Sequence, residues 1–159
     1  MTTIILEGPD GGGKTTLAAE FTDHHRVWVG HEPFTTYCHM AESIGQVSSE
    51  PILFDRFHIS EAVYSQLFRG QSPSPHKVFA LEEILLDSTK GDLVLVHCTA
   101  DYKTLVQRHW AKDEPITGDL HLQQQIEMFY HWVDQSHIRH ITWTGSNMTM
   151  KEVVRLATS

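Results

Sequence analysis

Cysteine is scarce in this chain of 159 residues, which carries two, Cys38 and Cys98. Two thiols make no disulfide scaffold, and without a Cys-x-x-Cys pair they offer no thiolate set for zinc. They read as free thiols of a reducing compartment. Long apolar runs are missing too: none approaches the roughly 20 residues of a membrane span. The opening MTTIILEG lacks the basic start and long apolar region of a secretion signal, so a cytoplasmic protein without a membrane partner is expected. Positive charge is short, with 12 Lys and Arg against 20 Asp and Glu and a formal charge of −8. That balance disfavours sequence-blind binding to nucleic acid or anionic lipid, although Lys14, Arg56, Arg69, Lys103, Arg108 and Lys112 can still converge in space. No repeat, linker or low-complexity stretch divides the chain, and its length is that of one domain over 1–159. The 12 histidines do not compensate. His24-His25, His109 and His137-x-x-His140 lack a shared carboxylate or thiolate set at ligand spacing, and no structural zinc is expected.

What is present is an alternation of short apolar runs and helical periodicities. TIILE (3–7), RVWVG (26–30), PILFD (51–55), DLVLVHC (92–98) and HITW (140–143) read as buried strands. Between them, helical spacing places Leu17, Ala18 and Phe21 on one face of 13–25, and Ile59, Ala62, Val63 and Leu67 on one face of 58–68. Val78, Leu81, Ile84 and Leu85 do the same in 77–88, as do Leu122, Ile126, Phe129 and Val133 in 120–133. Weaker helices are expected over 37–46, 102–110 and 150–157. Trp110, Trp132 and Trp143 read as core or lid packing. Five strands alternating with helices predict an α/β protein with a parallel sheet covered on both faces. Its ligands belong beyond the carboxyl ends of the strands, in the loops after residues 7, 30, 55, 98 and 143.

The first of those loops carries the chemistry. GPDGGGKT (8–15) satisfies G-x-x-x-x-G-K-[ST] at every fixed position, after one predicted strand and at the start of a predicted helix. Backbone N–H groups of Gly8, Gly11, Gly12 and Gly13 cradle phosphate oxygens, since glycine permits that close approach. Lys14 reaches the β- and γ-phosphates, the Thr15 hydroxyl ligates Mg²⁺, and Thr16 completes the run. A nucleoside triphosphate is the expected ligand.

Two segments resemble one family. LEGPDGGGKTT is similar to the phosphate loop of thymidylate kinases and their small phage relatives, E-G-x-D-G-x-G-K-[ST]-T. FDRFHISEAVYSQLFRG (54–70) resembles the Asp-Arg-aromatic segment of the same kinases. The tail ITWTGSNMTMKEVV resembles their last strand, adenine loop and helix. The resemblance implies a three-layer P-loop kinase fold with strand order 2-3-1-4-5, ATP as donor, and adenine held at Thr144 and Gly145. Asp55 would then lie beside the phosphate loop, to orient a magnesium-bound water or accept a proton. Arg56 would grip phosphate, and Asp10 would meet the acceptor's 3′-hydroxyl. The family also allows a homodimer, and a phage-encoded member would work in its host's cytoplasm.

The acceptor side departs from that pattern. His31-Glu32-Pro33-Phe34 has no arginine before its Glu-Pro, and about twenty residues without a basic side chain separate this loop from Asp55-Arg56. The acceptor's phosphate grip is reduced to Arg56 helped by Arg69. Glu32 belongs to the acceptor loop, and Phe34, Tyr37 and Phe57 are the aromatics available to stack on a base or to fill the core. A short lid is expected over about 108–119, with Arg108 and Lys112 as its cations. Three functions follow. One is ATP-dependent phosphorylation of a deoxynucleoside monophosphate. Another is phosphorylation of a hydroxymethylated pyrimidine, 5-hydroxymethyluracil, in DNA. The third is a nucleotide-binding sensor that transfers nothing.

Overall fold

The computed structural model describes residues 2–44, 46, 50–71, 73–111 and 119–159. Five strands form one parallel sheet: β1 (Thr3–Glu7), β2 (His25–Trp28), β3 (Ile52–Asp55), β4 (Leu93–Cys98) and β5 (His140–Trp143). Their order is β2-β3-β1-β4-β5, as expected. The two central strands β1 and β4 are buried at every residue, which explains their mostly apolar runs: both faces are covered, and only Thr3, Glu7 and His97 in them are polar.

Successive residues of each strand point to opposite faces and so feed two cores. Ile5, Phe54, Leu93 and Leu95 pack beneath α2 (Phe34–Ser43), α3 (His58–Arg69), α4 (Pro75–Ser88) and α6 (Asp119–Gln135). Ile4, Leu6, Leu53, Val94, Val96 and Cys98 pack on the other side against α1 (Lys14–Ala18) and α7 (Met150–Thr158). A small cluster of Ala100, Leu105 and Leu122 joins α5 (Tyr102–Ala111) to α6.

The helix expected over 13–25 ends early, at Ala18. Its continuation tightens into successive turns, in which Glu20, Phe21 and His24 N–H donate to the carbonyls of Leu17, Ala18 and Phe21. Those turns keep Phe21 in the core while returning the chain to β2. α2 and α4 instead begin before the predicted positions. Pro33 precedes α2 and Pro75 opens α4, where a proline's fixed φ suits a helix start and its missing N–H is not needed. Phe57, expected among the acceptor's stacking aromatics, is a correction. It is 1% exposed and packs between Tyr37 and Phe54, with ring centroids at 5.0 and 4.4 Å, so it presents no face to a ligand. Most of the expected lid, residues 112–118 with Lys112, lies outside the described residues. Among the described residues no helix is long and apolar enough to cross a membrane.

Candidate active site

β1 delivers the chain to the phosphate loop at the middle of the sheet. Gly8 leaves the strand at φ +147°, and a Cβ there would stand 1.9 Å from the Cys98 carbonyl oxygen, so the loop closes over β4 only with glycine. Lys14 is buried and turns back across the loop, its Nζ donating to the Gly8 and Pro9 carbonyls at 2.8 Å each. Burial and the Arg56 cation bring its pKa down to about 8. Thr15 and Thr16 are exposed beside it. A cavity of about 800 Å³ opens over the loop, bounded by Trp28, Asp55, Arg56, Arg108 and Trp143.

β3 lies next to β1, with Asp55 in register with Leu6. At the next residue the chain turns sharply: Arg56 has φ +69°, in the left-handed region that side chains seldom occupy, and its N–H donates to the Leu6 carbonyl at 2.9 Å. That turn throws its guanidinium back over the loop. Nη1 donates to the Gly8 carbonyl at 3.0 Å and to Ser60 Oγ at 3.2 Å, while Nη2 donates to Asp10 Oδ1 at 2.8 Å. The same group lies 5.0 Å from the centre of the Tyr64 ring.

Asp10, though its side chain is 47% exposed, is held by three partners. Its carboxylate accepts from Arg56, from Tyr64 Oη at 3.1 Å and from Gln125 Nε2 at 3.4 Å, and its own N–H donates to Gln125 Oε1 at 3.0 Å. Glu7, fully buried, holds the start of α3 in place. It accepts the N–H groups of Phe57, Ile59 and Ser60 at 2.8, 3.1 and 3.1 Å, and the Ser60 hydroxyl. Those first-turn N–H groups have no intrahelical partner, and a carboxylate satisfies them with charge as well as geometry.

Several of these partners carried no signal in the sequence. Arg26 of the edge strand β2 pairs with Asp55, Nε donating to Oδ2 at 3.0 Å and Nη2 to the same oxygen. Gln125 arrives from α6 and Tyr64 from α3; a lone Gln or Tyr in a helical pattern gives no hint of a partner in a distant loop. Glu7 was visible as the Glu of the E-G-x-D pattern, but its capping role depends on α3 starting beside β1.

The remaining candidates divide between places. Arg108 lies against the loop, its Nη1 donating to the Gly11 carbonyl at 2.6 Å. Gly145 lies against the same guanidinium, and the Thr144 N–H is held by Asn147 Oδ1 at 2.9 Å. Glu32 and Phe34 line a second cavity of about 210 Å³, together with Glu61 and Lys77. Arg69 is held by Glu61 Oε1 at 2.8 Å and Ser65 Oγ at 2.7 Å, and His31 Nδ1 sits 2.8 Å from the same carboxylate oxygen.

The donor set suits a divalent cation arriving with a triphosphate. Thr15 offers an exposed hydroxyl at the loop, and Asp55 lines the same cavity with Oδ1 unclaimed by Arg26. Mg²⁺ favours one or two protein oxygens supplemented by phosphate and water, which is what these two residues can provide.

No protein-family model and no curated protein sequence matches this chain. Solved structures do. The chain is similar to the YorR protein of Bacillus subtilis, solved in complex with phosphorylated GDP, with a TM-score of 0.78 and 18% identity over 97% of this chain and 92% of that one. It is similar to deoxyadenosine kinase from M. mycoides with bound dATP, with a TM-score of 0.64 and 11% identity over all of both chains. A gluconokinase from Sinorhizobium meliloti 1021 follows at a TM-score of 0.58 and 18% identity, over 99% of this chain and 89% of that one. Such identities speak to architecture, and the architecture they share with this chain is the P-loop kinase fold.

Proposed function

We propose that the protein is an ATP-dependent phosphotransferase of the thymidylate kinase type, with a deoxynucleoside monophosphate as acceptor. The observation that carries this reading is Asp10. A loop that only hydrolysed a triphosphate would gain nothing from a carboxylate beside the phosphates. This one is braced by Arg56 of the turn after β3, Tyr64 of α3 and Gln125 of α6, as a group that must orient a second substrate would be. The nucleotide ligands of YorR and of the deoxyadenosine kinase are compatible with a nucleotide acceptor.

In this reading the triphosphate of ATP occupies Gly8–Thr16, with Lys14 on its β- and γ-phosphates and adenine toward Thr144 and Gly145. An acceptor phosphate oxygen attacks the γ-phosphorus, the bond to the β–γ bridging oxygen breaks, and ADP leaves. Thr15, and Asp55 through water, would hold Mg²⁺, which would supply charge neutralisation for the transferring phosphate. Lys14 and Arg108 face the developing charge, and Asp10 holds the acceptor sugar.

One observation favours a second acceptor. Arg56 and Arg69, the two arginines expected to grip the acceptor's own phosphate, already donate to Asp10 and Glu61. A neutral hydroxyl needs no such grip, and 5-hydroxymethyluracil in DNA supplies one. Its oxygen would attack the γ-phosphorus while Asp55 takes the hydroxyl proton.

The test is transfer of labelled phosphate from ATP to the common deoxynucleoside monophosphates and to DNA with and without 5-hydroxymethyluracil. Transfer to a monophosphate is the expected result, and Lys14→Met abolishes it. Transfer to modified DNA alone establishes the second reading. ATP binding without transfer to any acceptor overturns both and leaves a nucleotide sensor.

A further inference from the structure

The proposed function leaves the edge strand β2 without a task, yet β2 forms one wall of the main cavity. Arg26 and Trp28 alternate along it and so lie on the same face of the sheet. In register, Arg26 stands opposite Leu53 and Trp28 opposite Asp55. Arg26 closes on Asp55 as an ion pair. Trp28 stands directly beside that carboxylate, lines the cavity, and is 70% exposed. Trp132 and Trp143 are both buried, whereas Trp110 near the end of α5 is as exposed as Trp28, at 69%, and does not line this cavity. An indole left in water forgoes the large gain of burying its surface.

Trp28 is nevertheless seated. Its ring lies close over Gly30, where a Cβ would come within 3.1 Å of the ring and the indole would have to give by a few tenths of an ångström. Sheet order then decides what this surface faces. β5 with Trp143 and β2 with Trp28 are the two opposite edges of the sheet, and the phosphate loop rises from β1 between them. The adenine side of the proposed reaction lies at β5, leaving the β2 edge to the other substrate. Two strand spacings, roughly 10 Å, separate β1 from β2, a span that a nucleoside can bridge.

We propose that Trp28 is the stacking platform for the nucleobase of the acceptor, with the base laid on the exposed indole face and its reacting group directed past Asp55 to the phosphate loop. The inference rests on the phosphotransfer reading of the cavity and names the surface that selects an aromatic acceptor. Base–aromatic stacking tolerates any base and serves a free nucleotide or a base in single-stranded DNA equally well.

Binding tests this without turnover. Wild type, Trp28→Ala, Trp28→Leu, Trp28→Phe and Phe34→Ala, each checked for an unchanged melting temperature, are loaded with Mg²⁺ and a non-hydrolysable ATP analogue. They are then titrated with dTMP by calorimetry and with a short fluorescein-labelled single strand containing 5-hydroxymethyluracil by anisotropy. Trp28→Ala and Trp28→Leu are expected to weaken at least one probe by roughly 5- to 100-fold. Trp28→Phe keeps it within about threefold, and the ATP analogue binds all variants alike, because stacking needs the aromatic face and not the indole itself. Loss with dTMP identifies a free nucleotide as the source of the base, and loss with the strand alone identifies DNA. The proposal is overturned if wild type binds neither probe, if Phe34→Ala and not Trp28→Ala weakens them, or if the ATP analogue weakens in step. Trp28-dependent binding in a protein that transfers no phosphate would overturn the phosphotransferase reading and leave the platform standing.

Discussion

Lys14 combines a fixed place in the motif with a buried position, and the two together make it pH-sensitive. Burial first, and the Arg56 cation second, lower its pKa from 10.5 to about 8. Between those two values the unfolded chain holds more protons on this residue than the folded one. The ligand-free protein should therefore gain stability from it as pH rises from about 8 to 10.5, and Lys14→Met should remove that gain. Triphosphate binding has the opposite sign, because the phosphates need the cation. Above about pH 8 the affinity for Mg·ATP is expected to fall by up to about tenfold per pH unit, with proton uptake on binding. Calorimetry at pH 7 and 9, in two buffers of different ionisation enthalpy, measures both. An affinity flat across that range would show that Lys14 stays charged in the free protein. Arg56 is the other residue whose backbone matters. Its left-handed φ is what turns a strand-end arginine back onto Gly8 and Asp10.

Among the elements, α3 depends on a residue outside itself. Its own N-cap position, Phe57, offers no side-chain hydrogen bond, and Glu7 of β1 supplies the caps across the sheet. Glu7→Gln keeps the shape and removes the charge, so it should destabilise the protein by about 1–3 kcal/mol in urea unfolding. It should also impair turnover more than that loss explains, since Arg56 and Ser60 shift with the helix. A Glu7→Gln protein as stable and active as wild type would show that this cap is idle. Helix ends are where the sequence was least legible. α2 and α4 start at Phe34 and Pro75, ahead of the predicted positions, and periodicity alone carried the first helix past Ala18, because Phe21 continues the apolar spacing from within a turn.

At the scale of the molecule, buried Glu82 ties three elements together. From α4 its carboxylate accepts from His58 of α3, at 2.8 Å, and from Ser136 Oγ and the His137 N–H beyond α6, each at 2.7 Å. Burial alone would raise its pKa, but these hydrogen bonds outweigh it and hold the carboxyl below the ordinary 4.5. A carboxylate lowered in the fold stabilises it above the unfolded value and loses that contribution as pH falls through the folded one. Acid unfolding should accordingly be less steep in Glu82→Gln. Glu82→Ala, which strips partners from buried His58, is expected to cost about 3–5 kcal/mol at pH 7. Denaturant melts at pH 7 and 4 distinguish the two variants, and equal loss in both at either pH would rule out the charge as the cause.

The sequence alone determined the phosphate loop and the class of fold. Cradling phosphate is local work, done by consecutive backbone N–H groups and the next lysine, and a sheet buried on both faces writes itself as repeated apolar runs. Strand order entered through the resemblance carried by Asp10, Asp55 and Arg56, and the sheet has that order. Tertiary structure decided who faces whom. Arg26 meets Asp55 across 29 positions and Gln125 meets Asp10 across 115, pairings that exist only because β2 and α6 close around the loop. Tertiary structure also decided that Phe57 is core and Trp28 is surface. An aromatic side chain gains as much from filling a core as from stacking on a base, so its identity is silent about which it does until the sheet supplies the neighbours.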